Sequence, residues 1–526
     1  MNTENNKVIA EKTEIIKIDL SKEDQRYIKR ICSNNTLPLE DKLDILVKHF
    51  NTTKDVVSEY IEILGMTLSP SQFSAAKLHT LKQKKRYIIS SAQTASPVNE
   101  DFLRNMEVYA KFINAEIGII ATRYRNPTSI WSEEGDVWDS KTHPYLTASR
   151  QYLHDDCLLL ADLKIQATSP NPTSGTEFFG GTASVIVGSP KVEMIPVAVL
   201  PNQKQKFLFS TGSCTTPSFT DSVAGGKQAE NHSYGFVVVE IENENVVHIR
   251  NIVADSEGNF NDLIYRVDEN GVTTETVETL VWGDSHFAQK EERVTLAFRK
   301  LCLDLGIEMS VLHDVWDSES LNVHNAKNGV VKHQLMIEGK DDLAAELKQM
   351  KEELQWFETH MDKTLVIASN HDDMLDRAMW QGDWRDNMKN AVIFVDMLKL
   401  TLSGKAKEGI IPYTINNTFK KINALGVNDS YIHRDVELAL HGHKGANGSK
   451  GSAKGFAKLS SKTIIGHGHS PQIIGGCYQV GISCQMQHGY NKGLSSWAYN
   501  GVTLNKHGKR QSITFNKDTM SYTTLY

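Results

Sequence analysis

Thr279-Leu280-Val281-Trp282 runs into Gly283-Asp284-Ser285-His286, Met309-Ser310-Val311-Leu312 into His313-Asp314-Val315-Trp316-Asp317, and Leu365-Val366-Ile367-Ala368 into Ser369-Asn370-His371-Asp372. Two more runs behave alike: Leu438-Ala439-Leu440 precedes His441-Gly442-His443, and Thr463-Ile464-Ile465 precedes Gly466-His467-Gly468-His469. Each apolar run has the length of a buried strand, and each ends in Asp, Asn or His. In α/β folds, loops leaving one edge of a sheet converge while the strands hold them rigid, and ligands bind there. This stretch therefore predicts an α/β fold with its site at the strand ends. Carboxylates bring the charge to hold cations, one Asp can bridge two of them, and neutral imidazoles fit Mn, Zn or Fe. A pair of divalent metals about 3.5–4 Å apart suits an in-line displacement at phosphorus.

Working outward, a helical segment from Asp341 to His360 interrupts the series, apolar at Leu343, Leu347, Leu354 and Phe357, which places an insertion near 338–362 of a domain spanning 275–526. Residues 86–274 alternate strand and helix signals and read as an α/β accessory domain: strands at Tyr87–Ile89, Ile117–Thr122, Ala183–Val187, Met194–Leu200, Phe207–Ser210 and Phe236–Ile241, a helix from Asp101 to Asn114, and a long loop from Thr168 to Gly181. Residues 1–85 read as a helical module. There, apolar positions from Leu43 to Leu64 break at Asn51-Thr52-Thr53, where Thr can cap a second helix. That pattern fits a helix-turn-helix unit or an ordinary helical hairpin.

With 526 residues, 40% hydrophobic and 23% charged, the chain is neither a disordered nor a membrane composition. Its opening residues lack the apolar core of a signal peptide, and no run of about 18 apolar residues occurs. The six cysteines form no C-x-x-C pair, as expected of reduced, buried thiols in a soluble intracellular protein. The net charge of −7 argues weakly against a general nucleic-acid coat. Its distribution argues otherwise: residues 438–517 hold ten Lys and Arg and no Asp or Glu, leaving −17 for the remainder. The first part of that segment, Gly442 to Gly455, is a Gly/Ser/Lys-rich loop between two of the histidine clusters. Such a loop suits a polyanionic backbone, and a solvated lysine loop is the plainer alternative.

The ordered set D-x-H, Asp, N-H-D, His and G-H-x-H resembles the signature of calcineurin-like metallophosphoesterases over roughly residues 275–515. That resemblance implies a β-sandwich flanked by helices. It makes Asp284, His286 and His469 ligands of one metal, Asp314 the bridging carboxylate, and Asn370, His441 and His467 ligands of the second. It makes His371 the group that contacts phosphate and protonates the leaving oxygen, with Asp372 as its orienting acid. The sequence departs from the family in having His313 and Ser369 where glycine is usual, and Asp317 and His443 rival Asp314 and His441.

Lys444, Lys450 and Lys454 of the loop, and Arg377 and Arg385 beside Trp380 and Trp384, are candidate substrate contacts. The alternative for the latter four is a packed helix with two core tryptophans. The N-terminal module, central domain and the His-Gly-His-Lys-Gly-Ala-Asn-Gly and Gly-His-Gly-His-Ser-Pro variants together look like the pre-early DNA-transfer proteins of T5-type tailed phages. That likeness implies a metal-dependent DNase, with Mn first and Mg, Zn or Fe as alternatives. It would degrade host DNA in the infected cytoplasm and support phage DNA transfer, with DNA and another phage early protein as partners and a homo-oligomer as its assembly. The rival expectations are a phosphatase of the same superfamily acting on proteins or nucleotides, and a non-catalytic DNA-transfer or scaffold protein with a vestigial metal site.

Overall fold

The apolar runs that carry the site lie on two sheets that face each other, not along the edge of one. A computed structural model describes residues 20–32, 39–64, 73–124, 136–322, 328–489 and 491–526. In it a six-stranded sheet has the order Ile422–Leu425, Lys363–Ile367, Met309–His313, Thr279–Val281, Asn500–Leu504 and Arg510–Thr514. The first four strands are mutually parallel, and the last two pairings, Thr279–Val281 with Asn500–Leu504 and Asn500–Leu504 with Arg510–Thr514, are antiparallel. Because side chains alternate along a strand, one set faces each way. Leu280, Leu312 and Val366 pack into a helical layer that includes Glu292–Leu305 and Leu343–His360. Val281, Val311, Leu365 and Ile367 pack against the opposite sheet.

That opposite sheet has ten strands and is built from distant parts of the chain. Ile432–His433, Val436–Glu437, Lys462–Ile465, Cys477–Gln479 and Gln472–Ile474 form one half, and Ser189–Val197, Lys206–Gly212, Ser184–Val187, Cys157–Leu160 and Arg150–His154 the other. The halves join where Ile473 and Ile474 pair antiparallel with Met194 and Glu193. One sheet therefore runs across the 274/275 boundary. Leu438 and Ala439, read from sequence as strand, are buried but lie beyond the short strand Val436–Glu437, so the chain enters the His441 loop without ladder pairing.

The central segment adds a five-stranded sheet that includes Arg86–Gln93, Glu116–Thr122 and Gly235–Asn243, against which Glu100–Ile113 packs. Asn99 caps that helix by accepting from the Phe102 amide. At its heart Arg250 is fully enclosed by Glu240 and Asp262; Tyr109 and Gln511 donate to Asp262, and the Thr523 and Thr524 hydroxyls to Glu240. The last residues of the chain are thereby tied to the central segment.

Near the N-terminus, Lys22–Cys32, Leu39–Phe50 and Lys54–Ile63 share a separate core of Ile28, Leu46, Val57 and Ile61. Thr53 holds the N-cap position of the third helix, but its side chain makes no capping hydrogen bond. That helix carries Asp55, Glu59 and Glu62 against Lys54. A recognition helix entering a phosphate-lined groove needs the opposite sign, so the hairpin is the better description.

Candidate metal centre

Three loops from the six-stranded sheet and two from the other sheet meet in the gap between them. Asp284 follows the strand Thr279–Val281, and its Oδ2 accepts from the His467 amide at 2.7 Å and lies 3.0 Å from His469 Nε2. His286 Nε2 faces His469 Nε2 at 3.3 Å and Asp314 Oδ2 at 3.5 Å. The donor atoms of Asp284, His286, Asp314 and His469 all fall within 4.8 Å of one another, and all four side chains are buried. Alongside, His441 Nε2 lies 3.3 Å from Asp314 Oδ2 and 3.1 Å from Asn370 Oδ1, while His467 Nδ1 is 3.0 Å from the same amide oxygen. Asp314 thus touches both groups. The seven residues expected as ligands stand together.

The donor set suits cations. Asp284 Oδ1 and Asp314 Oδ1 are buried with no hydrogen-bond partner, a costly state for a carboxylate. Two imidazole nitrogens facing each other can share at most one proton. Burial alone would raise the Asp314 carboxyl, but His441, His371 and His286 outweigh it and hold it well below the carboxylate range. Burial likewise lowers His467, with His441 adding to it, to about 4, which leaves a neutral imidazole. For His286 burial is overcome by Asp314 and Asp317, which lift it to about 9. A cation in place of that proton would satisfy the same carboxylates.

The backbone is strained at the same place. His286, Asp314, His467 and His469 have φ of 38°, 48°, 67° and 57°, a region non-glycine residues rarely occupy. Glycines accompany them: a Cβ on Gly466 would meet Asp284 Oδ1 at 2.3 Å.

The second carboxylate of the Asp314-x-x-Asp317 pair does not bridge. Asp317 Oδ1 binds His286 Nδ1 at 2.8 Å, Oδ2 accepts from the Ala288 amide, and its backbone carbonyl accepts from His371 Nδ1 at 2.9 Å. A carbonyl can only accept, so Nδ1 of His371 carries the proton and Nε2 is the nitrogen free to exchange one. Asp372, expected to orient His371, instead caps the helix Asn370–Gln381. Its Oδ2 accepts from the Ser369 amide, while the Ser369 hydroxyl accepts from the His371 and Asp372 amides. Burial pushes its carboxyl up to about 8. His443 turns away toward Asp373, 3.5 Å off, which leaves His441 at the cluster. His313 fills the room a glycine would leave, its Nδ1 3.4 Å from His441 Nδ1.

The cluster opens into a cavity of about 720 Å³ lined by Asp314, Asn370, His371, His467, Lys450 and Lys454, among others. Lys450 and Lys454 are therefore well placed, whereas Lys444 is held by Asp373 at 2.7 Å. Arg377 and Arg385 are exposed and do not line it, and Arg385 pairs with Asp383. Trp380 is 72% exposed, which rules out the core role considered for it. Two residues went unnoticed in the sequence: Trp497 packs edge-on at 4.2 Å from the His469 ring, and His488 lies 5.0 Å from His286. Neither follows an apolar run, so no pattern marked them.

Fold and site together define a mixed α/β protein with a buried Asp/His/Asn cluster between two sheets. The chain is 28% identical over 465 residues to Protein A1 of Escherichia phage T5, covering 83% of this chain and 82% of that protein. No family model and no solved structure matches it. No described helix is long and apolar enough to cross a membrane.

Proposed function

We propose that the chain is a metal-dependent DNase of the calcineurin-like metallophosphoesterase type, cleaving DNA phosphodiesters. The observation that carries this reading is the convergence, with orphaned carboxylate oxygens, of seven ligand-type side chains, four of which (Asp314, Asn370, His467 and His469) line a cavity edged by Lys450 and Lys454. Two divalent metals, Mn first, would be held by Asp284, His286, His469 and Asp314, and by Asp314, Asn370, His441 and His467; when bound they supply Lewis acidity and a nucleophile at neutral pH. The remaining steps belong to the chain. Lys450 and Lys454 draw the phosphate backbone into the cavity. Asn370 and His371 are the first residues of a twelve-residue helix, whose positive end faces the phosphate. His371, fixed through Nδ1 by the Asp317 carbonyl, delivers a proton from Nε2 to the leaving oxygen.

The similarity to a phage T5 protein over most of both chains supports a phage-encoded protein acting in the infected bacterium. The experiment offers linear duplex, plasmid and a small chromogenic phosphoester to the purified chain with Mn, Mg, Zn or chelator. Metal-dependent loss of the DNA supports the reading. Turnover of the small ester alone favours a phosphatase, and cleavage of nothing favours a binding protein.

A further inference from the structure

Five of the ten cations of residues 438–517 gather in two cavities. Lys450 and Lys454 line the metal cavity, while Lys462, Lys509 and Arg510 line a second cavity of about 480 Å³. It lies in the seam between the C-terminal and central segments, walled by the Gly475-Gly476 turn, by Asn231 and His232, and by Ala254 to Ser256. Arg510 uses Nη1 on the carbonyls of Thr463 and Gly476, at 2.8 and 2.7 Å, and lies 4.1 Å over the Tyr478 ring. Lys509 Nζ donates to the Ala254 carbonyl at 2.8 Å. Among the described residues none of these three cations forms an ion pair.

The other charges facing the cavity do not cancel them. Lys191 is neutralised by Glu193 at 2.6 Å, and Asp255 is shared between Arg266, at 3.7 Å, and Lys509, which leaves Glu230 and that shared carboxylate against three cations. Burial lowers the Lys509 ammonium; Asp255 opposes that, and Lys462 and Arg266 reinforce it, so the cations repel one another. Burial holds His232 down at about 4, and it adds no charge near neutral pH.

We propose that this cavity binds a phosphomonoester dianion of nucleotide size, gripped by the Nε and Nη2 donors of Arg510 and neutralised by Lys462 and Lys509. A volume of 480 Å³ lies within the range of small-molecule sites. Guanidinium groups pair bidentately with phosphate, and lysines supply point charge. The site is separate from the metal centre. Gln472 and Ile474 line the metal cavity and Ile473, on the same strand, lines this one, so the two lie on opposite faces of the strand. The inference does not rest on the nuclease reading.

Isothermal titration calorimetry on the full chain in EDTA, with dAMP, deoxyadenosine and inorganic phosphate, tests it. Expected are one dAMP per chain, weaker inorganic phosphate and no deoxyadenosine. Lys462→Glu/Lys509→Gln should lose at least tenfold in dAMP affinity, and Asp314→Asn should bind as the parent does. Lys462 is exposed, so Lys462→Glu alone, which keeps every internal hydrogen bond, should also weaken binding should the double variant fold poorly. Absence of dAMP binding, binding that survives both lysine variants, or binding lost in Asp314→Asn would overturn the assignment. Inorganic phosphate binding as tightly as dAMP would overturn its nucleotide size.

Discussion

Asp317 does two jobs with one residue: its carboxylate fixes the His286 ring through Nδ1, and its carbonyl fixes the His371 ring through Nδ1. Partners behind a metal-ligating histidine set its tautomer and basicity, and losing one typically costs 10–100-fold in metal affinity. Asp317→Asn should therefore weaken Mn binding by about 10–100-fold in a calorimetric titration; an unchanged affinity would remove Asp317 from the centre. His371→Gln should leave Mn binding intact and lower the rate of DNA cleavage by roughly 10²–10⁴-fold. Most of the cluster was legible in the sequence because Asp284, His286, Asp314, Asn370, His467 and His469 each follow an apolar run at fixed spacing. The support around them was not. The contact from His371 to the Asp317 carbonyl joins residues 54 apart through a backbone atom, which side-chain identity does not encode. Asp372 departs from its expected role for a related reason: in Ser-x-x-Asp ahead of a helix, a local capping box competes with a role at the site, and here the cap takes the carboxylate.

The helix Asn370–Gln381 and the turns before His467 and His469 are the elements that present the site. Ser369→Ala removes the hydroxyl that accepts from the His371 and Asp372 amides and should cost about 1 kcal/mol of unfolding free energy, read by chemical denaturation. Gly466→Ala should do more harm to binding. Its Cβ would meet Asp284 Oδ1 at 2.3 Å and His313 Cγ at 2.9 Å, so Mn affinity should fall while the remainder of the fold stays intact by circular dichroism. Retained affinity would mean the Asp284 loop can shift freely. Strand positions were legible to within a few residues, since Lys363–Ile367, Lys462–Ile465 and Gly235–Asn243 all appear where Val, Ile and Phe cluster. Which strands pair was not. The join of Ile473 to Met194 links segments about 280 residues apart, and nothing local specifies such a partner.

Across the whole molecule, one buried charge cluster ties the chain's last residues to the central segment. Arg250 is buried between Glu240 and Asp262, and the chain's last residues close over Glu240. Burial would raise the Glu240 carboxyl, but Arg250 and the Thr524 hydroxyl and amide outweigh it and hold it at about 2. A depressed carboxylate contributes its full stability above the ordinary carboxylate range and loses it as pH falls toward its folded value. Glu240→Gln should thus destabilise by about 3 kcal/mol at pH 7, with the gap from the parent narrowing between about pH 4 and pH 2 in denaturation curves. The basic run between 438 and 517 was legible as composition, yet its members scatter: Lys444 and Lys506 are paired, and the others serve two cavities and the surface. Net charge thus describes the segment and not the site. In the proposed nuclease, Asp314 lies where the two metal positions join. The most direct test is degradation of linear duplex in Mn by Asp314→Asn beside the parent chain, with DNA binding measured in parallel. Complete loss of cleavage with binding retained is expected; cleavage at the parent's rate by Asp314→Asn would remove Asp314 from the reaction.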